Sequence, residues 1–408
     1  ESVAKKSRKS DDVDELLKKE LGDNLLDWQP MSDIRSMGLS GSTIQELQCT
    51  FSGKYDVPSL LILKRTCKQL PTLSDDASDS AKMKAQRNDF SYESECYFLT
   101  THAGALQSQA CRIPKVLFAN TSLDRCDILM EAFSGSLGWE QHAPIPPGAP
   151  TTAVLRWLAQ FHAAFLPSDK GGGGLPLKTA GSWDCGLQNM AIDRRPATDL
   201  ECLPQTLASF IDRFRDAHEY FRSESIRNVG GLLQAVAKEV ECQLLPVESR
   251  SMTMTHGDFM HSNIFIKTCA GGLEAAAIDW QWAGPGVGAV DLIFLCAQSL
   301  SDDVVNDWES AVVRQYHSHL ISALGGQHDA YPYELVLQEF KLAALNFMRW
   351  ISCARFVDMT PESMQKAAEK ADINRGLVRR SMTRMIWLWQ LVELCLQGVE
   401  DRKLFQAR

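Results

Sequence analysis

Apolar residues recur along the chain at two spacings, and the change from one to the other divides it. Val13, Leu16, Leu17, Leu21, Leu25 and Leu26 share one face of a 3.6-residue period, which predicts an amphipathic helix from Val13 to Trp28. Asp11 or Asp12 is placed to cap it. Residues 1–12 ahead of it are charged and small, without periodicity, and read as a flexible tail. From Ile34 onward the apolar runs become short and strand-like. Ile34 to Cys49 reads as two strands joined by a small turn, and Ser59 to Arg65 (SLLILKR) as a compact strand ending in bases. A polar stretch running to Asp89 reads as a surface loop, then a helix beginning near Asn88 or Asp89. Cys111 to Phe118 and Asp127 to Glu131 read as two further strands. Pro144, Pro146, Pro147, Gly148 and Pro150 then break any regular element. Beyond them the helical period dominates: Thr151 to Phe165, Leu207 to Phe221, Val229 to Leu245, and segments near 303–324, 333–357, 361–370 and 374–397. Gly171 to Gly174 is a flexible break among them.

This pattern predicts an α+β chain with a β-rich part over 13–134 holding one main helix, and a larger, mostly helical part over 135–408. Its 408 residues and 45% hydrophobic content suffice for one two-lobed domain or two ordinary ones. The formal net charge of −9 gives no basic field for nucleic acid or anionic lipid. No apolar run reaches the ~18 residues of a membrane span. The 12 cysteines are scattered, without a C-x-x-C, which suits reduced thiols in a cytoplasmic compartment. The chain starts at Glu1, so a removed targeting segment stays open. Lys5, Lys6, Arg8 and Lys9 read as a solvated tail before an address signal.

The candidate chemistry lies between Thr255 and Ser299. His256-Gly257-Asp258 is followed by Asn263 at the spacing D-x-x-x-x-N, which phosphoryl-transfer enzymes use for a base and a metal-binding amide. A hairpin turn over Lys267 to Gly272 separates this from Ala277-Ile278-Asp279-Trp280-Gln281, where a short apolar strand ends in a carboxylate. Transfer of a phosphoryl group needs charge neutralisation by hard cations and a carboxylate to orient the attacking hydroxyl. On that reading Asp258 is the base, and Asn263 and Asp279 hold Mg²⁺. The plainer reading makes Asp258 a turn residue and Asp279 a satisfied buried carboxylate. The two motifs in this order, about twenty residues apart, favour phosphotransfer.

The same residues resemble the aminoglycoside phosphotransferase and choline kinase superfamily of small-molecule kinases, with the ecdysteroid-kinase-like branch closest. The resemblance rests on His256-Gly257-Asp258 with Asn263, on Ile278-Asp279-Trp280-Gln281, and on Asp291-Leu292. Trp280 stands where the family usually has Phe. Gly257 and Gln281 stand where protein kinases have Arg and Gly, which argues against a protein substrate. The resemblance implies a bilobal protein-kinase-like fold, ATP and Mg²⁺ bound between the lobes, and a small-molecule hydroxyl acceptor. It assigns Lys64 to the α/β-phosphates, paired with a Glu on the main helix, Glu95 first and Glu93 as the fallback. Gly38, Ser40 and Gly41 would cover the phosphates, and the backbone after Met130 and at Glu131 would meet the adenine. Asp291 would brace the loop bearing Asp258, with His256 as structural support and His162 a hydrogen-bonded core histidine. The aromatics Tyr331, Tyr333, Phe340, Phe347, Trp350, Phe356, Trp387 and Trp389 would lie near an acceptor pocket or, for most of them, in the core.

Two other functions share this pattern. One is a catalytically inactive kinase-like binding or scaffold module, since fold does not establish turnover. The other is an antibiotic-inactivating kinase, which would need an acidic pocket for polycationic acceptors. Neither the acceptor nor the oligomeric state is written in the sequence.

Overall fold

The computed structural model describes residues 2–31, 34–37, 42–52, 58–74, 76–108, 111–167, 190–245, 251–326 and 331–400. Gly38, Ser40, Gly41 and Gly171 to Gly174 lie outside the described residues. The chain forms an α+β fold with two compact units: 1–105 with 113–134, and 106–112 with 135–408.

The first unit opens with α1 (Ser2–Leu21) and continues into β1 (Leu25–Pro30), β2 (Arg35–Met37), β3 (Ser42–Phe51) and β4 (Leu60–Cys67). The long helix α2 (Asp79–Thr101) and the short α3 (Ala103–Ser108) follow, then β5 (Val116–Thr121) and β6 (Arg125–Glu131). All six strands lie in one antiparallel sheet of order β1-β3-β4-β6-β5, with β2 paired to β3. Helix α1 lays Val13, Leu16 and Leu17 against Leu47, Cys49, Leu61, Leu63, Phe118 and Leu129 of that sheet. Burying each of these Leu side chains is worth roughly 1.5–3 kcal/mol, so the helix is held by its stripe rather than by propensity.

Four sequence expectations change here. Leu25, Leu26 and Trp28 are strand residues and not the end of a helix. Gly22, at φ +58°, stops α1 in the left-handed region, and the next residues gain ladder hydrogen bonds with β3, Trp28 opposite Cys49. At its other end α1 starts at Ser2, within the stretch read as a tail. No Gly or Pro lies between Ser2 and Leu21, so extending the helix from its packed turns costs little per residue. Helix α2 begins at Asp79, well before Asn88, because Ser78 caps it by accepting from the Ala81 N–H at 3.3 Å. The strand read from Cys111 reduces to β5, starting at Val116; Arg112 forms only an isolated bridge to Ala276.

The second unit holds β7 (Trp139–Glu140), α4 (Ala149–Phe165), α5 (Ala197–Glu201), α6 (Leu203–Phe214), α7 (Val229–Leu244) and β8 (Met252–Thr255). Then come β9 (Ile264–Cys269), β10 (Gly272–Ala277), β11 (Gly284–Val287) and α8 (Ala289–Gln298), and finally α9 (Asp302–Asn306), α10 (Gln315–Ala323), α11 (Tyr333–Ile351), α12 (Pro361–Glu369) and α13 (Met382–Glu400). The β9–β10 hairpin sets Cys269 opposite Gly272, as read from the sequence, and β7 joins its open edge. Gly284 to Val287 forms a strand antiparallel to β8. Two π-helical stretches, Trp308–Arg314 and Ser352–Phe356, interrupt the helical period of the C-terminal segments. Phe340, Phe347, Phe356 and Trp389 are fully buried, and Tyr331, Trp350 and Trp387 nearly so, so these rings are core. No helix of the described residues is long and apolar enough to cross a membrane, and no described cysteine is in a disulfide.

Candidate active site

Strand β4 alternates its side chains across the sheet, and the inward phase buries Lys64 at register with Ile44 and Ile128. Its Nζ donates to Glu95 Oε2 of α2 at 2.7 Å, both side chains being nearly inaccessible. Glu93 instead meets Lys68 at 2.5 Å, in a pair whose acid is more than a third exposed. Of the two acids open in the sequence, Glu95 is therefore the partner of Lys64. Met130 is buried on β6, and Glu131 closes that strand, its amide donating to the Lys115 carbonyl and its carboxylate accepting from the Lys115 N–H.

In the second unit β8 delivers the chain into His256-Gly257-Asp258, and a 3₁₀ turn over His261–Asn263 returns it to β9. Gly257 makes the sharp bend at φ +78°, and a Cβ there would stand 2.2 Å from the Trp282 carbonyl oxygen. No other residue type fits that position without moving the neighbouring loop. Asp291, at the start of α8 and fully buried, accepts from the His256 N–H at 2.6 Å and the Gly257 N–H at 2.9 Å. Its Oδ2 also meets His162 Nε2 at 3.2 Å, and His162 Nδ1 meets the Tyr316 hydroxyl at 2.7 Å. Gly288 leaves room for this chain: a Cβ there would lie 2.6 Å from both His162 Nδ1 and Tyr316 Oη. Asp291 thus anchors the loop through charge-assisted bonds.

His256 fixes the next link. Its Nε2 lies 3.0 Å from the Ile278 carbonyl, which can only accept, while its Nδ1 accepts the Asp258 N–H at 3.3 Å. The ring is therefore the neutral Nε2–H tautomer, and burial pushes its pKa down, against the raising influence of Asp291. One imidazole ties the Asp258 turn to the residue before Asp279. Ile278 N–H donates back to the Asn263 carbonyl at 3.0 Å, so the two motifs are stitched together. The His261 N–H is held by Ser299 Oγ at 2.8 Å and its Nδ1 by the Gln298 carbonyl at 2.8 Å.

At the centre, Asn263 Nδ2 donates to the Asp258 carbonyl at 2.9 Å and to its Oδ2 at 3.2 Å. The amide nitrogen is committed to Asp258, which leaves Oδ1, touched only by Ser262 Oγ at 3.4 Å, as a hard oxygen donor. Asp279 sits at φ +69°, a conformation rare for anything but Gly, Asn and Asp. Burial, then the nearby charge of Asp279, pushes the Asp258 carboxyl up to about 7, against the Asn263 hydrogen bond and the charge of Arg355. Two carboxylates and an amide oxygen are a donor set of the chemistry that suits Mg²⁺, which takes one or two protein carboxylates and leaves the rest to phosphate and water. Among the described residues no group of three or more His, Cys, Asp or Glu is arranged as a metal cluster.

Trp280 is almost wholly buried, with its ring 4.6 Å from His256 and 5.2 Å from Phe161. Trp157 stacks on Phe259 at 5.4 Å, completing an aromatic floor beneath both motifs. The indole therefore fills core space and leaves Asp279 on its turn. Two features escaped the sequence reading. Gln141 Nε2 donates to the Ser262 carbonyl from more than a hundred residues away, which no spacing reveals. Arg355, whose charge reaches Asp258, sits on the π-helical stretch; the only sequence signal nearby was the arginine density of Arg375, Arg379 and Arg380.

Residues 149–327, which include every residue of the Asp258 and Asp279 motifs, match the model of the ecdysteroid kinase-like family. No curated protein sequence matches the chain. Three solved structures align over most of it. A microcompartment-associated aminopropanol kinase does so at 15% identity, covering 92% of this chain and 94% of that one, with a TM-score of 0.45. An ethanolamine kinase of Plasmodium vivax gives 13%, 94%, 85% and 0.38. The choline kinase of Streptococcus pneumoniae gives 10%, 96%, 99% and 0.40. At such distances none of these carries a substrate or a residue role to this chain.

Proposed function

We propose that the protein is an ATP-dependent kinase that phosphorylates a hydroxyl of a small molecule. The observation that supports this most is the Asp258–Asn263 contact on a loop pinned by Asp291 and tied through His256 to the Asp279 turn. In this reading the acceptor hydroxyl gives its proton to the Asp258 carboxylate as its oxygen attacks the γ-phosphorus. The bond from that phosphorus to the β–γ bridging oxygen breaks, and ADP leaves with the electron pair. Asn263 orients Asp258 with its amide nitrogen and, with Asp279, offers oxygens to a magnesium ion, which would neutralise charge on the phosphate oxygens. The Lys64–Glu95 pair is assigned to the nucleotide phosphates, Glu95 keeping the ammonium extended and charged. The Met130–Glu131 backbone is assigned to the adenine. His256 and Asp291 take no proton from substrate; they hold the loop.

The test is ADP and phosphoester formation across a panel of alcohols, sterols, cholines and aminosugars. Asp258→Ala is expected to keep nucleotide binding and lose about 10²–10⁴ in rate. Equal turnover in wild type and variant would remove Asp258 from the mechanism, and no turnover with any acceptor would leave an inactive binding module.

A further inference from the structure

A cavity of about 340 Å³ opens in the second unit between the end of α6 and the turns that follow it. Its floor is apolar. Ala208 and Ile211 contribute from one face of α6, three residues apart, and Phe221 closes the floor beside them. Phe221 is almost wholly buried, with Phe214 at 5.6 Å and Phe210 and Trp389 each at 5.8 Å between ring centroids. The 3₁₀ turn Glu219–Arg222 that carries it is tied down as well. His218 caps the turn by accepting from the Tyr220 N–H at 3.1 Å, and the Tyr220 hydroxyl donates to Glu393 of α13. Core packing therefore fixes the floor before any ligand arrives.

Three arginines from three segments stand around this floor: Arg215 just past α6, Arg222 at the end of the 3₁₀ turn, and Arg227 ahead of α7. Arg222 Nε donates to the Arg215 carbonyl at 3.0 Å, which joins two of the segments and orients the Arg222 guanidinium. Its Nη2 lies 3.8 Å from the Asp216 carboxylate, beyond hydrogen-bonding reach, and that acid is fully exposed. Arg227 meets Glu224 at 2.8 Å, with both side chains more than half exposed, so water and salt weaken the pair. The Arg215 guanidinium has no hydrogen bond or ion pair among the described residues. Asp212 is the one acid on the cavity wall, so the lining carries three positive charges against one negative. On a chain with a formal net charge of −9, that local excess is unusual. A neutral apolar molecule would leave the guanidiniums in water, and a bare inorganic anion would leave the floor uncovered. A molecule with both parts satisfies both, and the volume lies near the lower end of the range for small-molecule sites, about 300–1,000 Å³. No residue of the Asp258 or Asp279 motifs lines the cavity.

We propose that this cavity binds a small organic anion, an aryl or alkyl carboxylate or phosphate, whose apolar body lies on Ile211 and Phe221 and whose head meets Arg215, Arg222 and Arg227. The site is additional to the Asp258 loop and stands on the cavity alone, whether or not the protein transfers phosphate. Its charge selects against organic ammonium ions, which the three guanidiniums repel.

The experiment is a ligand-observed NMR titration of the full chain. The probes are 2-naphthoate and 2-naphthyl phosphate for the two head groups, neutral 2-naphthamide for the body alone, and inorganic phosphate for the charge alone. At least one naphthyl anion is expected to bind about 10-fold more tightly than both 2-naphthamide and inorganic phosphate. Arg215→Ala and Arg222→Ala should each weaken it by about 2–5-fold, the scale of one solvent-exposed charge contact. Arg215→Glu should erase the preference over 2-naphthamide. Ala208 is an exposed helix position, so Ala208→Trp should fill the cavity and abolish binding of every naphthyl probe. Saturating ADP with Mg²⁺ should leave the affinity unchanged. Arg215→Ala removes no side-chain bond, and melting checks the fold of each variant. Equal or absent binding of the anionic and neutral naphthyl probes overturns the proposal, as does inorganic phosphate binding equally well. So does a preference that survives Arg215→Glu, naphthyl binding that persists in Ala208→Trp, or displacement by ADP, which would put the probe in a nucleotide site instead.

Discussion

Replacing Asp291 by Asn removes one of the two carboxylate oxygens that hold the His256–Gly257 backbone. The native carboxylate accepts from both amides, at 2.6 and 2.9 Å, and from His162 Nε2, all in a fully buried setting. Asn keeps one acceptor oxygen and presents an NH₂ where the other stood, so a backbone donor faces a donor with no water to replace it. A bond to a charged acceptor is worth about 1.5–3 kcal/mol and the stranded amide costs a further ~1–3 kcal/mol, so the local loss is about 3–5 kcal/mol. Part is recovered if the loop shifts, and a shift of that kind moves Asp258. Hydrogen exchange at the Gly257 amide should therefore quicken by on the order of 100-fold or more, since exchange follows local opening. Phosphotransfer should fall by about 10²-fold, the scale of a misplacement near 1 Å, with nucleotide affinity much less affected. If the Asn variant showed wild-type exchange at Gly257 and wild-type turnover, Asp291 would not be the anchor of this loop.

Other outcomes follow from the same geometry. Glu95→Gln leaves the Lys64 ammonium buried without its counter-charge, so the first unit should lose about 3–5 kcal/mol in urea unfolding. Glu93→Gln should cost under ~1 kcal/mol, because the Lys68–Glu93 pair is partly solvated; equal effects would refute the assignment of Glu95. His261 supplies a pH dependence. Burial, then the charge of Arg380, pushes its pKa from 6.5 down to about 4. The unfolded chain binds that proton first, so the contribution of neutral His261 is intact above about 6.5 and is lost as pH falls toward 4, roughly 3 kcal/mol in all. Denaturant melts at pH 7 and pH 4 on wild type and His261→Gln should show a smaller pH response in the variant; parallel responses would contradict it.

The geometry of the Asp258 loop was legible in the sequence because its contacts are short-range: Asp258 to Asn263 is one turn of chain, and Asp279 follows a two-strand hairpin. Those positions could be named before any coordinates, as could Lys64 at the end of an apolar strand. The helix α1 boundary was misread because Leu25 and Leu26 continue the apolar period past Gly22, and only pairing with β3 converts them to strand. Propensity lost there to long-range hydrogen bonding. The choice between Glu93 and Glu95 stayed open in the sequence, with Glu95 placed first: two residues on one helix differ in face, and the face is set by how α2 packs. The close fit of Gly376 to Gln298 is likewise a tertiary fact.

If the protein is a kinase, Asp258, Asn263 and Asp279 serve a metal-bound nucleotide. ATP binding measured by calorimetry with Mg²⁺ and with EDTA, in wild type and in Asp279→Ala, tests this directly. The expected result is a Mg²⁺-dependent gain in affinity in wild type that is absent in the variant, with the EDTA values alike. The same affinity in all four conditions, or a Mg²⁺ gain that persists without the Asp279 carboxylate, would contradict it.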